Sequence, residues 1–137
     1  MGKILTARNM NKCIGCYSCM LACARLVHRS FSLQKSCIQI RTRGGLQSKL
    51  VADICRGCSQ PACAEACRIR ALVPREGGGV KLNARKCIGC GDCVEACPVK
   101  TIRLDEETRL PLICKHCGIC AKFCPHGILS LEVSPHA

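Results

Sequence analysis

The sequence predicts a small α+β fold, two modules of short helices and β-hairpins whose core is built largely from metal. Seventeen cysteines occur in 137 residues, and sixteen of them fall into four quartets. Only Tyr17, Phe31 and Phe123 are available as aromatic filling, and a chain this small with so little bulky side chain needs a staple. The quartets alternate with strand–turn–strand patterns, so one unit repeats along the chain: cysteine motif, short helix, hairpin. Without metal the chain is expected to be unfolded.

Lys3–Asn9 alternates weakly and reads as a short strand. It leads into Cys13, Cys16, Cys19 and Cys23 (C-I-G-C-Y-S-C-M-L-A-C). Ala24 follows in place of a helix-stopping proline, so a helix begun near Cys19 is predicted to run on through Met20–His28. Cys37–Arg43 alternates like a strand, Gly44-Gly45 signals a turn, and Ser48–Ile54 reads as the return strand. The second quartet is Cys55, Cys58, Cys63 and Cys67, with Pro61 inside a four-residue middle gap and Arg68 after the last cysteine. Ala71–Val73, the Gly77-Gly78-Gly79 turn and Val80–Leu82 form a second hairpin. The third quartet is Cys87, Cys90, Cys93 and Cys97 (C-I-G-C-G-D-C-V-E-A-C-P). A third hairpin follows: Thr101–Leu104, a turn at Asp105–Thr108, and Arg109–Ile113. Cys114, Cys117, Cys120 and Cys124 make the fourth quartet, closed by Pro125. Ile128–Val133 is a last strand, and Ser134–Ala137 reads as a frayed tail.

Three cysteines two residues apart, a fourth after three more, and a proline form the bacterial-ferredoxin run for a [4Fe–4S] cubane. A C-x-x-C-x-x-C loop curls three thiolates around three corners of one cube. The turn to the fourth cysteine advances about 6 Å at ~1.5 Å per residue, which aims that thiolate at a second cube. Structural zinc, the usual reading of paired C-x-x-C, has no use for Cys19, Cys93 or Cys120 just past a complete knuckle. The C-x-x-x-C-x-x-C spacing of radical enzymes that cleave S-adenosylmethionine does not occur. Gly15, Gly89 and Gly118 lie inside the cluster loops, where the backbone must bend tightly and point N–H groups at sulfur.

Cys37 stands outside the quartets and reads as a buried small apolar residue rather than a ligand. Roles for His28, His126 and His136 stay open; His116, between two ligands, reads as a solvated loop side chain in preference to a sulfur donor. Arg56, Arg68 and Lys100 adjoin ligands, where positive charge raises a cluster's potential, unless the side chains simply face solvent or a partner. No nucleophile–base pair, paired carboxylates, G-x-G-x-x-G or P-loop stands out, so no catalysis by this chain is expected.

The formal charge of +12 suggests nucleic acid until the clusters are counted. An oxidised cubane with four thiolates carries about −2, and four of them leave roughly +4. With so few aromatic stacking residues, nucleic-acid binding is not expected. Met1–Met10 has no apolar h-region, and no apolar run approaches the ~20 residues of a membrane span. The thiols of a chain made in the cytoplasm are metal ligands rather than disulfides, which the odd cysteine count also suits.

The second quartet narrows the family. C-x-x-C-x-x-P-x-C-x-x-x-C, here Cys55, Cys58, Pro61, Cys63 and Cys67, resembles the second motif of the four-cluster [4Fe–4S] electron-transfer subunits. These accompany molybdenum and tungsten oxidoreductases, hydrogenase and CO-linked complexes, and aldehyde oxidoreductase-type enzymes. The chain departs from that pattern at Arg68, in its compact fourth quartet, and in lacking the C-terminal extension many relatives carry; its small size suggests a cytosolic complex. The resemblance implies two bacterial-ferredoxin-like two-cluster modules: an outer one from residues 1–36 and 101–137, and an inserted one from residues 37–100. It further implies nested ligation. One cluster takes Cys13, Cys16, Cys19 and Cys124, and its mate Cys114, Cys117, Cys120 and Cys23. In the inserted module, Cys55, Cys58 and Cys63 share with Cys97, while Cys87, Cys90 and Cys93 share with Cys67. Loop lengths alone leave sequential pairing open as well. The implied function is a non-catalytic subunit relaying single electrons through four [4Fe–4S] clusters. Its partner would be a large catalytic oxidoreductase subunit, first a tungsten aldehyde oxidoreductase-like pterin enzyme, with a further electron-accepting protein beyond. The rival readings are a diffusible polyferredoxin and an accessory protein for metalloenzyme maturation.

Overall fold

The computed structural model describes residues 2–42 and 49–133. In chain order the elements are β1 (Lys3–Ala7), α1 (Ser18–His28), β2 (Gln39–Thr42), β3 (Leu50–Asp53), α2 (Ala62–Ala66), β4 (Leu72–Pro74), β5 (Val80–Leu82), α3 (Asp92–Ala96), β6 (Arg103–Leu104), β7 (Pro111–Leu112), α4 (Ile119–Phe123) and β8 (Leu129–Val133). Short 3₁₀ turns at Met10–Lys12 and Leu33–Lys35 flank α1. The fold class is α+β, as expected.

The predicted hairpins form where the alternating stretches lie. β2 pairs with β3, β4 with β5 and β6 with β7, all antiparallel. The Gly44-Gly45 turn lies outside the described residues, as do Arg43, Ser48 and the tail from Ser134 to Ala137. One further pairing has no counterpart in the sequence pattern. β1 and β8, each read as a lone strand, run antiparallel from Lys3↔Val133 to Ala7↔Leu129. Their Thr6 and Ser130 hydroxyls meet at 3.0 Å. The exposed Arg8–Glu132 ion pair at 2.6 Å beside them adds little to stability.

α1 is eleven residues long and carries past Cys23, as the Ala24 substitution predicts; α2, α3 and α4 are five each. α1 packs on α4 and α2 on α3. Two small apolar clusters back these pairs. Leu5, Met20, Ile38, Ile40 and Leu129 surround Cys19 and Cys120. Leu72, Val80, Ile102 and Ile113 surround Cys93 and Cys97. In both, cysteines occupy places that aromatic rings fill in an ordinary core.

Two glycines let the second-quartet loop approach β1 and the β4–β5 turn approach the fourth-quartet loop. A side chain at Gly57 would collide with Ile4 of β1, and one at Gly79 would sit 3.0 Å from the His116 ring. Both glycines also have left-handed backbone, φ 62° and 85°, which glycine adopts without the strain a side chain brings.

Candidate metal centres

Each quartet is set up by the same backbone course. The residue two places after the first cysteine is left-handed in all four: Gly15 (φ 71°), Gly57 (62°), Gly89 (72°) and His116 (55°). The turn folds the following N–H back on the cysteine: Gly57 N–H donates to Cys55 Sγ at 3.5 Å, and His116 N–H to Cys114 Sγ at 3.4 Å. The third cysteine (Cys19, Cys63, Cys93, Cys120) then sits in the first two turns of a helix, and the fourth follows on the same side of it. Cys67, Cys97 and Cys124 end their helices, whereas Cys23 lies inside α1.

Helix pairing brings sulfurs of different quartets together. One cavity is lined by Cys55, Cys58, Cys63 and Cys97 between apolar walls of Pro61, Val99 and Ile102. A second is lined by Cys114, Cys117, Cys120 and Cys23. A third is lined by Cys87, Cys90, Cys93 and Cys67. Cys19 is pushed up to about 11, by burial first and then by the Cys124, Cys16 and Cys13 sulfurs, each of which lies near enough to act on it. Thus three cysteines of one quartet repeatedly meet the last cysteine of another. Cys37 and Cys114 line both of the first two cavities.

The electrostatics suit a cation-rich cluster. Burial, then neighbouring sulfurs, pushes Cys63 up to about 11 and Cys120 up to about 12. Cys114 is likewise pushed up to about 12, by burial first, with Cys55 the leading sulfur neighbour. Thiols crowded in apolar cavities hold their protons until a metal core takes their place. The donors gathered in each of the three cavities are sulfurs, four or more of them, which suits the all-thiolate ligation of a [4Fe–4S] cubane.

The last cysteines receive hydrogen bonds that favour charge on sulfur. Ala71 N–H donates to Cys67 Sγ at 3.2 Å, and the Thr101 hydroxyl lies 3.6 Å from Cys97 Sγ. For Cys97 burial works upward, but the N–H groups of Thr101, Val99 and Lys100 and the Thr101 hydroxyl bring it down overall. Cys124 shows the same balance, with N–H groups of Ile128, His126 and Leu129 against burial. Cys23 is lowered to about 5, most by the Cys37 thiol, with burial opposing and the Cys37 N–H assisting.

His116 corrects the expectation of a solvated loop residue. It is buried, and its Nδ1 accepts the Leu5 N–H at 2.9 Å. The cause is its place in the repeat: the other three quartets hold glycine there, and the histidine ring fills the room left by Gly57 and Gly79. Arg68 is almost fully exposed, and Lys100 donates to the Glu95 carbonyl, so both face solvent. Arg56 lines the first of the three cysteine cavities. Thr101 is a sulfur donor that the sequence reading does not include; its position four residues after Cys97 is the available signal. Cys37 is buried, as expected, but its N–H also serves Cys23 at 3.4 Å.

Comparison with known proteins agrees with this donor chemistry. The family described as "4Fe-4S dicluster domain" matches residues 54–101 and 86–128, and a "4Fe-4S binding domain" matches residues 10–25. The chain is 29% identical over 114 residues to a tetrathionate reductase subunit of Salmonella typhimurium, covering 80% of this chain and 46% of that protein. It is 36% identical over 124 residues to the beta subunit of the NADH-dependent phenylglyoxylate dehydrogenase of Aromatoleum evansii, covering 86% of this chain and 28% of that one. The nitrate-inducible formate dehydrogenase iron-sulfur subunit of Escherichia coli is 26% identical over 151 residues, with 88% and 51% covered. The chain therefore spans about half the length of these relatives or less. Because the dicluster match runs without a break from residue 54 to 128, over more than half of the sequence, the protein belongs to the 4Fe-4S dicluster domain family.

Proposed function

We propose that this chain is the electron-transfer subunit of an oxidoreductase complex, carrying four [4Fe–4S] clusters and performing no catalysis of its own. The observation that carries the proposal is the recurrent cavity lined by three cysteines of one quartet and the last cysteine of another. Bound there, the clusters supply one-electron chemistry; the protein supplies thiolates, sulfur-directed N–H groups and dry walls that set each potential.

In this reading Cys13, Cys16, Cys19 and Cys124 hold one cluster and Cys114, Cys117, Cys120 and Cys23 its mate. Cys55, Cys58, Cys63 and Cys97 hold a third, and Cys87, Cys90, Cys93 and Cys67 the fourth. Residues 1–36 with 101–137 and residues 37–100 are the two modules. The packing supports exchanging their edges, since Ile38 and Ile40 join the first apolar cluster while Ile102 and Ile113 join the second.

The neighbourhood of Cys55 and Cys114 supports a relay that crosses between modules there. Its outer ends are then the clusters of the first and third quartets. Each end carries an exposed cysteine, Cys16 or Cys90. Beside it stands an exposed isoleucine, Ile14 at 67% or Ile88 at 73%. These two loops are the proposed partner contacts: a catalytic oxidoreductase subunit at one end, an electron-accepting or -donating protein at the other.

The relatives' names, reductase and dehydrogenase subunits, support an oxidoreductase partner. A molybdenum or tungsten pterin enzyme, first a tungsten aldehyde oxidoreductase-like subunit, is the more particular proposal. The proposed compartment is the cytoplasm, where thiols stay reduced for iron; among the described residues no helix is long and apolar enough to cross a membrane.

Iron and acid-labile sulfide on anaerobically purified chain should each approach four per quartet, and clearly less overturns the cluster count. Gel filtration of native extract should find the chain with a large subunit. A lone species near its own mass of 14.8 kDa would sink the subunit reading in favour of a diffusible carrier.

A further inference from the structure

Three of the quartets treat their last sulfur in one way. After Cys67, Cys97 and Cys124 the chain leaves the helix, and the residue four places on, Ala71, Thr101 or Ile128, turns its N–H back on that sulfur. Cys23 has no such donor, because α1 continues to His28 and the N–H four places on is used inside the helix. Its donor comes instead from fourteen residues away: Cys37 N–H to Cys23 Sγ at 3.4 Å.

The segment that delivers it is rigidly held. Ser36 and Ile38 are fully buried, the Ser36 hydroxyl donates to the Ile38 carbonyl at 2.7 Å, and Arg103 and Gln39 both donate to the Ser36 carbonyl. The Cys37 side chain is also in place. The Cys23 and Cys37 sulfurs and a His28 ring nitrogen lie within 4.8 Å of one another, with His28 Nε2 at 3.4 Å from Cys37 Sγ.

We propose that Cys37 is a positioning residue for the cluster held by Cys23 with Cys114, Cys117 and Cys120, its N–H and its S–H both donating to the Cys23 sulfur. His28 Nε2–H completes the chain by donating to Cys37 Sγ. A hydrogen bond to a ligand sulfur favours the reduced, more negative cluster, so the added thiol donor raises that cluster's potential. The inference rests on the ligand assignment made above.

The test is a redox titration monitored by electron paramagnetic resonance on loaded, anaerobic wild-type, Cys37→Ala and Cys37→Ser chains, with iron measured on each. Cys37→Ala keeps the N–H and loses the S–H. At full iron it should lower one midpoint of four by the equivalent of about tenfold in the reduction equilibrium, ~59 mV for one electron, and Cys37→Ser should restore most of it. Four unchanged midpoints in Cys37→Ala at full iron overturn the proposal while leaving the ligand assignment standing; low iron in the wild type overturns the assignment itself. Should Cys37→Ala not load, the wild-type infrared S–H stretch decides, because Cys37 is then the one thiol not bound to iron. A band shifted by hydrogen bonding is expected, and a free-thiol band or none overturns the proposal.

Discussion

The first and second quartets share a departure from the ferredoxin run: Ala24 and Arg68 stand where Pro98 and Pro125 close the other two. They respond in opposite ways. After Cys23 the helix continues to His28, while after Cys67 it stops, with Cys67 already extended at φ −79°, ψ 101°. That conformation nearly matches Cys97 (φ −64°, ψ 118°) and Cys124 (φ −76°, ψ 112°), which do precede proline. Proline is therefore not what ends these helices. Ala24 is completely buried beside Met20 and Ala22 and is followed by the helix formers Arg25 and Leu26. Beyond Cys67 the chain offers exposed Arg68 and partly exposed Ile69, then Arg70 with left-handed backbone at φ 54°. Where the extension has a face to bury, the helix grows; where it has none, the sulfur's own hydrogen bond from Ala71 takes over.

Removing iron tests whether that difference is packing or local propensity. Anaerobic chelation should abolish helical circular dichroism throughout, α1 included, because eleven residues without a partner are marginal in water. Helix that persists would assign the length of α1 to propensity. Imposing proline separates the quartets next. Ala24→Pro should cost about 3 kcal/mol or more, since it removes a helix-interior hydrogen bond and forces Cys23 out of helical geometry; a wild-type denaturation midpoint would refute the packing account. Thr101→Val removes one donor from Cys97 and keeps the N–H, for about 1 kcal/mol and a small fall in one cluster's midpoint. Arg68→Pro should be the mildest, stabilising by about 0.4–1 kcal/mol through the unfolded chain, because Cys67 already has the conformation a following proline demands. A loss of iron in that variant would show that the extended geometry is not shared after all.

The cysteine spacing made the α+β repeat legible, and alternation located the β4–β5 and β6–β7 hairpins to within a residue or two. Ala24 gave the long first helix. What stayed hidden depends on contacts between distant residues. Nothing local in Lys3–Ala7 announces a partner at Leu129–Val133, since a two-stranded pairing of the chain's first and last strands leaves no turn signal. His116 stayed hidden for a related reason. Its role comes from glycines far off in sequence, Gly57 and Gly79, although aligning C-K-H-C with the three C-x-G-C loops would have exposed the odd residue. The Cys37 N–H is a backbone group brought in by the loop after α1, and no side-chain pattern records a backbone donor.

The β1–β8 pairing carries a consequence for biosynthesis. Strand β1 is translated well before β8, so it has nothing to pair with until Val133 emerges, and closing so long a loop is slow and entropically unfavourable. The stretch from Cys55 to Cys97, with β4, β5, α2 and α3, is complete well before then. Assembly should therefore proceed from the Cys55–Cys97 stretch outward, with β1 and β8 acting as a clasp that shuts last. Of the four quartets, Cys13 to Cys23 is translated first and waits longest for its enclosing strand, so it is the one a cell short of iron or exposed to oxygen would lose first.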